Sequence, residues 1–296
     1  MKRVGAFLMT KKGFLVLRSI IEEGYVSQIG YVVGAKDPNV VKDFSSEIRE
    51  LCTQNKIPYF EKKDMGYKRL DVTYILAISW RWLISGLNDQ PLIVLHDSLL
   101  PRYRGFAPLA NALINEEKEV GVTALYATNE YDRGPIIGQS KLRLEYPIKI
   151  SSAIDLISNC YVELVLGIFH KINLNEHIEA NPQNEENATY SLWRDEEDYR
   201  IDWRKSSKEI QRFIDALGDP YLGASTYVKD KKIRIYDVSI VPDVNLENRD
   251  VGKVVFMEKG KPIVVCGKGL LKIENARSDD SNEPLLPLKN FRTKFY

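Results

Sequence analysis

Apolar and polar positions fall in blocks that predict strands and helices in turn. Residues 4–9 (VGAFLM) form a continuous apolar run, the pattern of a strand buried on both faces. A helix is predicted over 12–23, stopped by Gly24. Residues 26–33 read as a second strand. Over 40–55, Val41, Phe44, Ile48, Leu51 and Cys52 recur at helical spacing. A short third strand or edge at 57–60, a fourth strand at 72–78 and a fifth at 92–95 follow.

Strands alternating with helices in this order predict an α/β fold, a mainly parallel sheet with helices on both faces. The sheet is Rossmann-like, but no GxGxxG follows the first strand, so the dinucleotide fingerprint is missing. Further on, 106–115 reads as a helix, 122–128 as a strand, 132–135 (DRGP) as a turn freed by Gly134, and 136–139 as the start of another strand. A long amphipathic helix over 152–172 carries Ile157, Cys160, Tyr161, Leu164, Val165, Ile168 and Phe169. It closes a first domain expected at 1–180.

Composition shifts over 173–187, which is rich in Asn, Glu and Gln, and the domain boundary is expected there. In the second domain, expected at 188–296, Ser206 and Glu209 form a capping box. The helix after it lines up Ile210, Phe213, Ile214 and Leu217 and stops at Gly218. Short apolar runs at 224–228, 233–238, 251–256, 262–266 and 270–273 predict a smaller C-terminal β-barrel.

The chain has 296 residues, 44% hydrophobic and 28% charged, an ordinary globular composition. Its 42 basic and 41 acidic residues leave a net charge of +1, which leans against a large nucleic-acid partner. Cys52, Cys160 and Cys266 lie far apart without CxxC spacing and read as small buried apolar residues, so no metal site is expected. The N-terminal apolar run is interrupted by Lys11 and Lys12 and lacks a signal-peptide pattern, and no run reaches the length of a membrane span. A cytoplasmic protein without a membrane partner is expected.

Candidate chemistry centres on residues 92–105 (LIVLHDSLLPRYRG). A buried strand ends at His96, and a loop with Pro101 and Gly105 follows. Ligands bind open α/β sheets beyond the carboxyl ends of the strands, which puts this histidine at the mouth of a site. Asp132 opens a Gly-containing turn after a strand. As a turn residue it needs no further role, but in a parallel sheet that turn can lie beside a neighbouring strand end and let the carboxylate orient the His96 ring. His170 and His177 have no metal-ligand spacing and read as structural or surface residues.

The thirteen residues HDSLLPRYRGFAP, with GVTALYATNEYDRGPI downstream, resemble the signature of the folate-dependent formyltransferases. That family includes methionyl-tRNA formyltransferases and nucleotide-sugar N-formyltransferases. The likeness extends more weakly from the first strand to about residue 273. It implies an OB-like second domain, N10-formyltetrahydrofolate as co-substrate, and His96 and Asp132 as catalytic residues. It places Ser79, Trp80, Arg81 and Trp82, with Tyr131, around the folate, although the tryptophans also suit plain packing. It places Arg102, Tyr103, Arg104 and Gly105 on the acceptor side, where Arg forks suit diphosphate oxygens and loop packing is the ordinary reading. Arg194 reads equally as a substrate contact or a surface residue.

The segment NATYSLWRDEEDYRIDW is closer in flavour to the nucleotide-sugar enzymes. The first expectation is therefore formyl transfer to the amine of a nucleotide-linked amino sugar, as in O-antigen or surface-polysaccharide biosynthesis. A methionyl-tRNA formyltransferase is the alternative, and the family likeness allows a homodimer. The sequence departs from the family at Val94, where the Asn of an Asn-x-His pattern would donate to the formyl oxygen. That departure raises a third reading, a nucleotide-sugar or folate binding protein with impaired catalysis. Asp97 also departs from the small residue or Pro usual after the histidine, and is read as facing solvent.

Overall fold

A computed structural model describes residues 2–37, 40, 42–84 and 90–296. Val41, placed above on the stripe of the second helix, lies outside the described residues. In chain order the elements are β1 (Val4–Leu8), α1 (Thr10–Glu22), β2 (Ile29–Gly34), α2 (Ser45–Gln54), β3 (Tyr59–Glu61), β4 (Tyr74–Ile78), β5 (Leu92–His96) and β6 (Arg104–Gly105). Then come α3 (Pro108–Ile114), β7 (Glu119–Tyr126), β8 (Ile136–Arg143), α4 (Ile150–Asn173), β9 (Tyr190–Ser191) and α5 (Ser207–Leu217). Five strands finish the chain: β10 (Ala224–Val228), β11 (Lys231–Val241), β12 (Val254–Glu258), β13 (Lys261–Val265) and β14 (Leu270–Ser278).

The chain splits into two compact units. The first comprises Met1–Leu109, Glu119–Arg143 and Ile154–Leu192, and the second Ala110–Lys118, Leu144–Ala153 and Trp193–Tyr296. The polar stretch 173–187 thus packs with the first unit.

The first unit is built on a seven-stranded sheet ordered β3-β2-β1-β4-β5-β7-β8. β3, β2, β1, β4 and β5 run parallel, and every residue of β1, β2 and β4 is buried. Strands flanked on both sides and covered on both faces need continuous apolar sequence, which these three have. β7 runs antiparallel to β5, and β8 antiparallel to β7. The sheet is therefore mixed rather than wholly parallel, because the hairpin connecting β7 and β8 is too short for a crossover.

One sheet face gathers Phe7, Tyr31, Val33, Ile75 and Ala77 with Tyr67 and Val72, and Trp80, Leu92 and Val94 pack against them. Phe7 meets Tyr67 and Trp80 edge to face, at centroid distances of 5.5 and 5.0 Å. α1 buries Val16, Leu17 and Ile20, and Gly13 lets the helix approach Leu8 closely. α4 is long and apolar enough to cross a bilayer by length and composition, but half of its most apolar stretch is buried, including Ile157, Tyr161, Val165 and Phe169.

In the second unit the five strands form an antiparallel sheet ordered β10-β11-β14-β13-β12. Its two edges do not pair with each other. Residues 293–296 bridge them instead. Tyr227 and Tyr296 exchange both backbone hydrogen bonds at the β10 edge, while Val254 donates to Thr293 and Phe295 to Gly252 at the β12 edge. That terminal segment closes the sheet on itself, which removes its open edges. Phe295 is 1% exposed in a core with Trp203, Ile214, Ile235, Val264 and Ile273. The Ser206–Glu209 capping box is present at the start of α5.

Candidate active site

β5 ends on His96, which is 8% exposed. Its Nε2 lies 2.9 Å from the carbonyl of Tyr103. A carbonyl only accepts, so Nε2 carries the proton. Nδ1 faces Oδ1 of Asp132 at 3.4 Å. Both ring nitrogens thus look at oxygen acceptors. The other carboxylate oxygen of Asp132 accepts from the backbone N–H of Gly105 at 2.8 Å.

The route by which Asp132 arrives differs from the sequence expectation. Because β7 is antiparallel to β5, its end at Tyr126 stands opposite Ile93, and His96 stands opposite Thr123. A tight hairpin there would leave Asp132 at the wrong end of β5. Residues 127–135 instead fold back, with Asp132 itself in the left-handed region at φ 56°. Gly134 sits under the Tyr126 carbonyl, where a Cβ would collide.

A network of polar side chains holds this fold-back. Arg104 is 1% exposed and spends all five of its N–H donors inside the protein. It forks onto both oxygens of Glu185 at 2.7 and 2.8 Å, reaches Oε1 of Gln183 from Nε and Nη2 at 3.2 and 2.7 Å, and meets the Tyr190 hydroxyl at 3.4 Å. Gln183 Nε2 donates in turn to the carbonyls of Asp132 and Gly134. Arg133 donates to the Tyr190 hydroxyl at 3.1 Å. Hydrogen bonds from Arg133 and Arg104 hold the Tyr190 phenol below its ordinary range, and the bond from Arg104 does the same for the Glu185 carboxyl. The loop after β5 is zipped onto the same segment: β6 pairs with β9, and Tyr103 N–H donates to Thr189 Oγ1.

His96, Asp132, Tyr103, Arg104 and Gly105 are therefore one cluster. Arg104 is a strut rather than an open donor. Arg102 is exposed and lies over the Tyr103 ring at 5.3 Å. Gln183, Glu185 and Tyr190 were not marked as site residues by sequence. Their only signal was that the polar stretch 173–187 is short and runs into NATY.

The 79–82 segment starts one residue beyond the Ile78–Leu95 pairing, beside His96 in register. The Ser79 hydroxyl accepts from Thr10 at 3.2 Å. Trp80 belongs to the apolar face that includes Val94. Arg81 pairs with Asp37 at 2.7 Å. The Trp82 ring carries the Lys62 ammonium 3.3 Å from its centroid, so one ring face is taken. Tyr131, next to Asp132, is 72% exposed. Arg194 belongs to the second unit, where Nη2 donates to Asn111 at 2.5 Å.

Asp97 does not face solvent. Its carboxylate accepts from the Tyr161 hydroxyl at 2.5 Å and pairs with the buried Lys12 ammonium. Burial pushes its carboxyl up, but the charge of Lys12 and the hydrogen bonds from Lys12 and Tyr161 outweigh that and hold it below the ordinary range. Once a cation from α1 and a phenol from α4 converge on the position after His96, a carboxylate is the residue that satisfies both. His170 and His177 are exposed. The three cysteines are buried and free, with the Cys52 and Cys266 thiols pushed up to about 12 by burial. Among the described residues no group of three or more His, Cys, Asp or Glu is placed to hold a metal ion.

Residues 37–149 match the formyl transferase family model, and residues 194–285 match the formyl transferase C-terminal domain model. The chain belongs to the formyl transferase family. Among curated relatives, the methionyl-tRNA formyltransferase of Lactococcus lactis is 32% identical over 205 residues, 69% of this chain. That match spans 63% of the relative's length.

Two solved structures are similar in fold to this one. An N-formyltransferase from Helicobacter canadensis, in complex with folinic acid and dTDP-3-aminofucose, is 18% identical at a TM-score of 0.65, covering 92% of this chain and 98% of that one. HypX from Aquifex aeolicus, in complex with tetrahydrofolic acid, is 18% identical at a TM-score of 0.64, covering 93% of this chain and 44% of that one.

Proposed function

We propose that this formyl transferase moves a formyl group from N10-formyltetrahydrofolate to the amine of a nucleotide-linked amino sugar. The observation that carries the reading is the His96–Asp132 pair at the carboxyl end of β5, inside the family's own motif. An amine attacks only when uncharged, so a group must take its proton, and charge developing on the formyl oxygen must be met by a donor. With Asp132 holding Nδ1, His96 is suited to both tasks through Nε2, which would exchange its contact with the Tyr103 carbonyl for the substrate: as base toward the amine and, once protonated, as donor to the oxygen, the proton finally leaving on N10 of the released tetrahydrofolate. The folate co-substrate supplies the formyl group. Partly buried Trp80 and Val94 offer apolar surface suited to a flat pterin, and exposed Tyr131 and Arg102 are the candidate contacts for folate and acceptor.

The sugar acceptor is favoured by the charge distribution. The run of the second unit with the most basic residues in six positions is 229–234, and its core is neutralised. Arg234 is 4% exposed and pairs with Glu196 and Asp279, and Lys232 faces the same two carboxylates. Little of that run remains for a phosphate backbone. The second reading, transfer to methionyl-tRNA, is favoured by the 32% identity to the Lactococcus lactis enzyme. Incubating the protein with formyl donor and either a panel of dTDP-, UDP- and GDP-amino sugars or charged initiator tRNA separates the two. Formylated sugar without formylated tRNA supports the first reading, and the converse replaces it by the second.

A further inference from the structure

The stretch 173–187 has the composition of a linker, yet it sends one side chain into the turn that carries Asp132. Gln183 Nε2 donates to the carbonyl oxygens of Asp132 at 2.7 Å and Gly134 at 2.8 Å. Its Oε1 accepts from Nε and Nη2 of Arg104. A primary amide has two N–H groups and two lone pairs, and all four are used here. The anchor is itself fixed, because Arg104 is buried and forked onto Glu185.

Asp132 has φ 56°, a left-handed state that Asp tolerates better than most non-glycine residues but that leaves the direction of its side chain to the surrounding contacts. Gln183 grips the carbonyl of that residue and the carbonyl two positions on, so it sets the curl of 132–134. The carboxylate at the head of the curl must meet Nδ1 of His96 and the N–H of Gly105 together.

We propose that Gln183 is the positioning residue for Asp132, fixing the turn against Arg104 so that the carboxylate stays aligned with His96. The inference rests on the reading of His96 and Asp132 as the acting pair. Gln183 acts through Asp132, and its own side chain is spent on the two carbonyls and on Arg104.

The test uses Gln183→Glu and Gln183→Leu in the full-length chain. Gln183→Glu keeps an acceptor for Arg104 and loses both N–H donors, so it separates support of the turn from support of the arginine. Both variants are expected to lower kcat by about 10- to 100-fold, the scale of a displacement near 1 Å in a reacting constellation. KM for donor and acceptor should stay within roughly threefold, because no binding contact is removed. Hydrogen exchange of the Gly105 amide, followed by NMR, should speed up at least about tenfold as its carboxylate acceptor drifts.

Wild-type kcat with unchanged Gly105 exchange in Gln183→Glu overturns the proposal. So does a loss of turnover in both variants that only tracks loss of folded protein by circular dichroism. If the wild-type protein formylates no acceptor, the functional reading falls, and Gly105 exchange still decides the positioning role.

Discussion

The backbone N–H of Gly105 donates to one oxygen of the Asp132 carboxylate across 2.8 Å, and the other oxygen faces His96. One carboxylate thereby ties the loop after β5 to the imidazole at the strand's end. Gly105 holds φ 102°, and a Cβ there would strike the carbonyl of Ser191. Gly105→Ala is expected to cost about 1–3 kcal/mol of stability through strain alone. It should also lower turnover about tenfold as the Asp132 contact shifts. Denaturant midpoints and initial rates check both.

Val94 occupies the position where the family pattern has Asn, and the structure seats it against an apolar face with Trp80 and Leu92. An amide there finds apolar neighbours first. Val94→Asn is expected to cost about 1–3 kcal/mol, the penalty of a polar group without a partner, and to leave turnover unchanged or lower. A gain on the order of 10²-fold would show that one oxyanion donor had been missing from an otherwise intact site. Urea unfolding and steady-state rates on the same preparation give the answer.

The Lys12–Asp97–Tyr161 cluster stands directly behind His96 in the chain. Lys12→Met leaves the Asp97 charge without its counter-ion and should cost about 3–5 kcal/mol. The folded-state carboxyl of Asp97 lies below its ordinary value of 3.8. Its contribution is therefore fully present above that value and is lost as pH falls through the lower folded one. Urea midpoints measured between about pH 6 and 2 should fall at the acid end, and Asp97→Asn should flatten that part of the curve.

Much of the first unit was legible because continuous apolar runs announce strands covered on both faces, and β1, β2 and β4 are such strands. Periodicity states which face is buried but not which way a strand runs, so the antiparallel β7 and the fold-back of 127–135 were out of reach. His96 was marked by standing at a strand end before a Pro- and Gly-containing loop. Gln183 and Glu185 were hidden because they work by reaching across more than fifty positions to Asp132 and more than seventy to Arg104, from a stretch whose composition suggests only solvent. Asp97 reads as a solvent residue from sequence for a similar reason: its partners come from α1 and α4, and nothing near it in sequence names them.

The closing segment of the second unit was equally silent, since four residues carry no period. Phe295 nevertheless sits 1% exposed in the core that the terminal segment completes. Phe295→Ala is expected to cost about 3–5 kcal/mol, by lost burial and the cavity left behind. Thermal unfolding followed by tryptophan fluorescence checks it, because the ring of Trp203 lies 5.8 Å from that of Phe295.

We propose that His96, backed by Asp132, carries formyl transfer to an amine. The decisive experiment is mass spectrometry of products from a nucleotide amino-sugar panel with a formyl-folate donor, run side by side on wild-type protein and His96→Ala. An N-formyl product is expected with the wild type, and a rate lower by about 10²- to 10⁴-fold in a folded variant. Formylation by His96→Ala at close to the wild-type rate would remove His96 from the reaction.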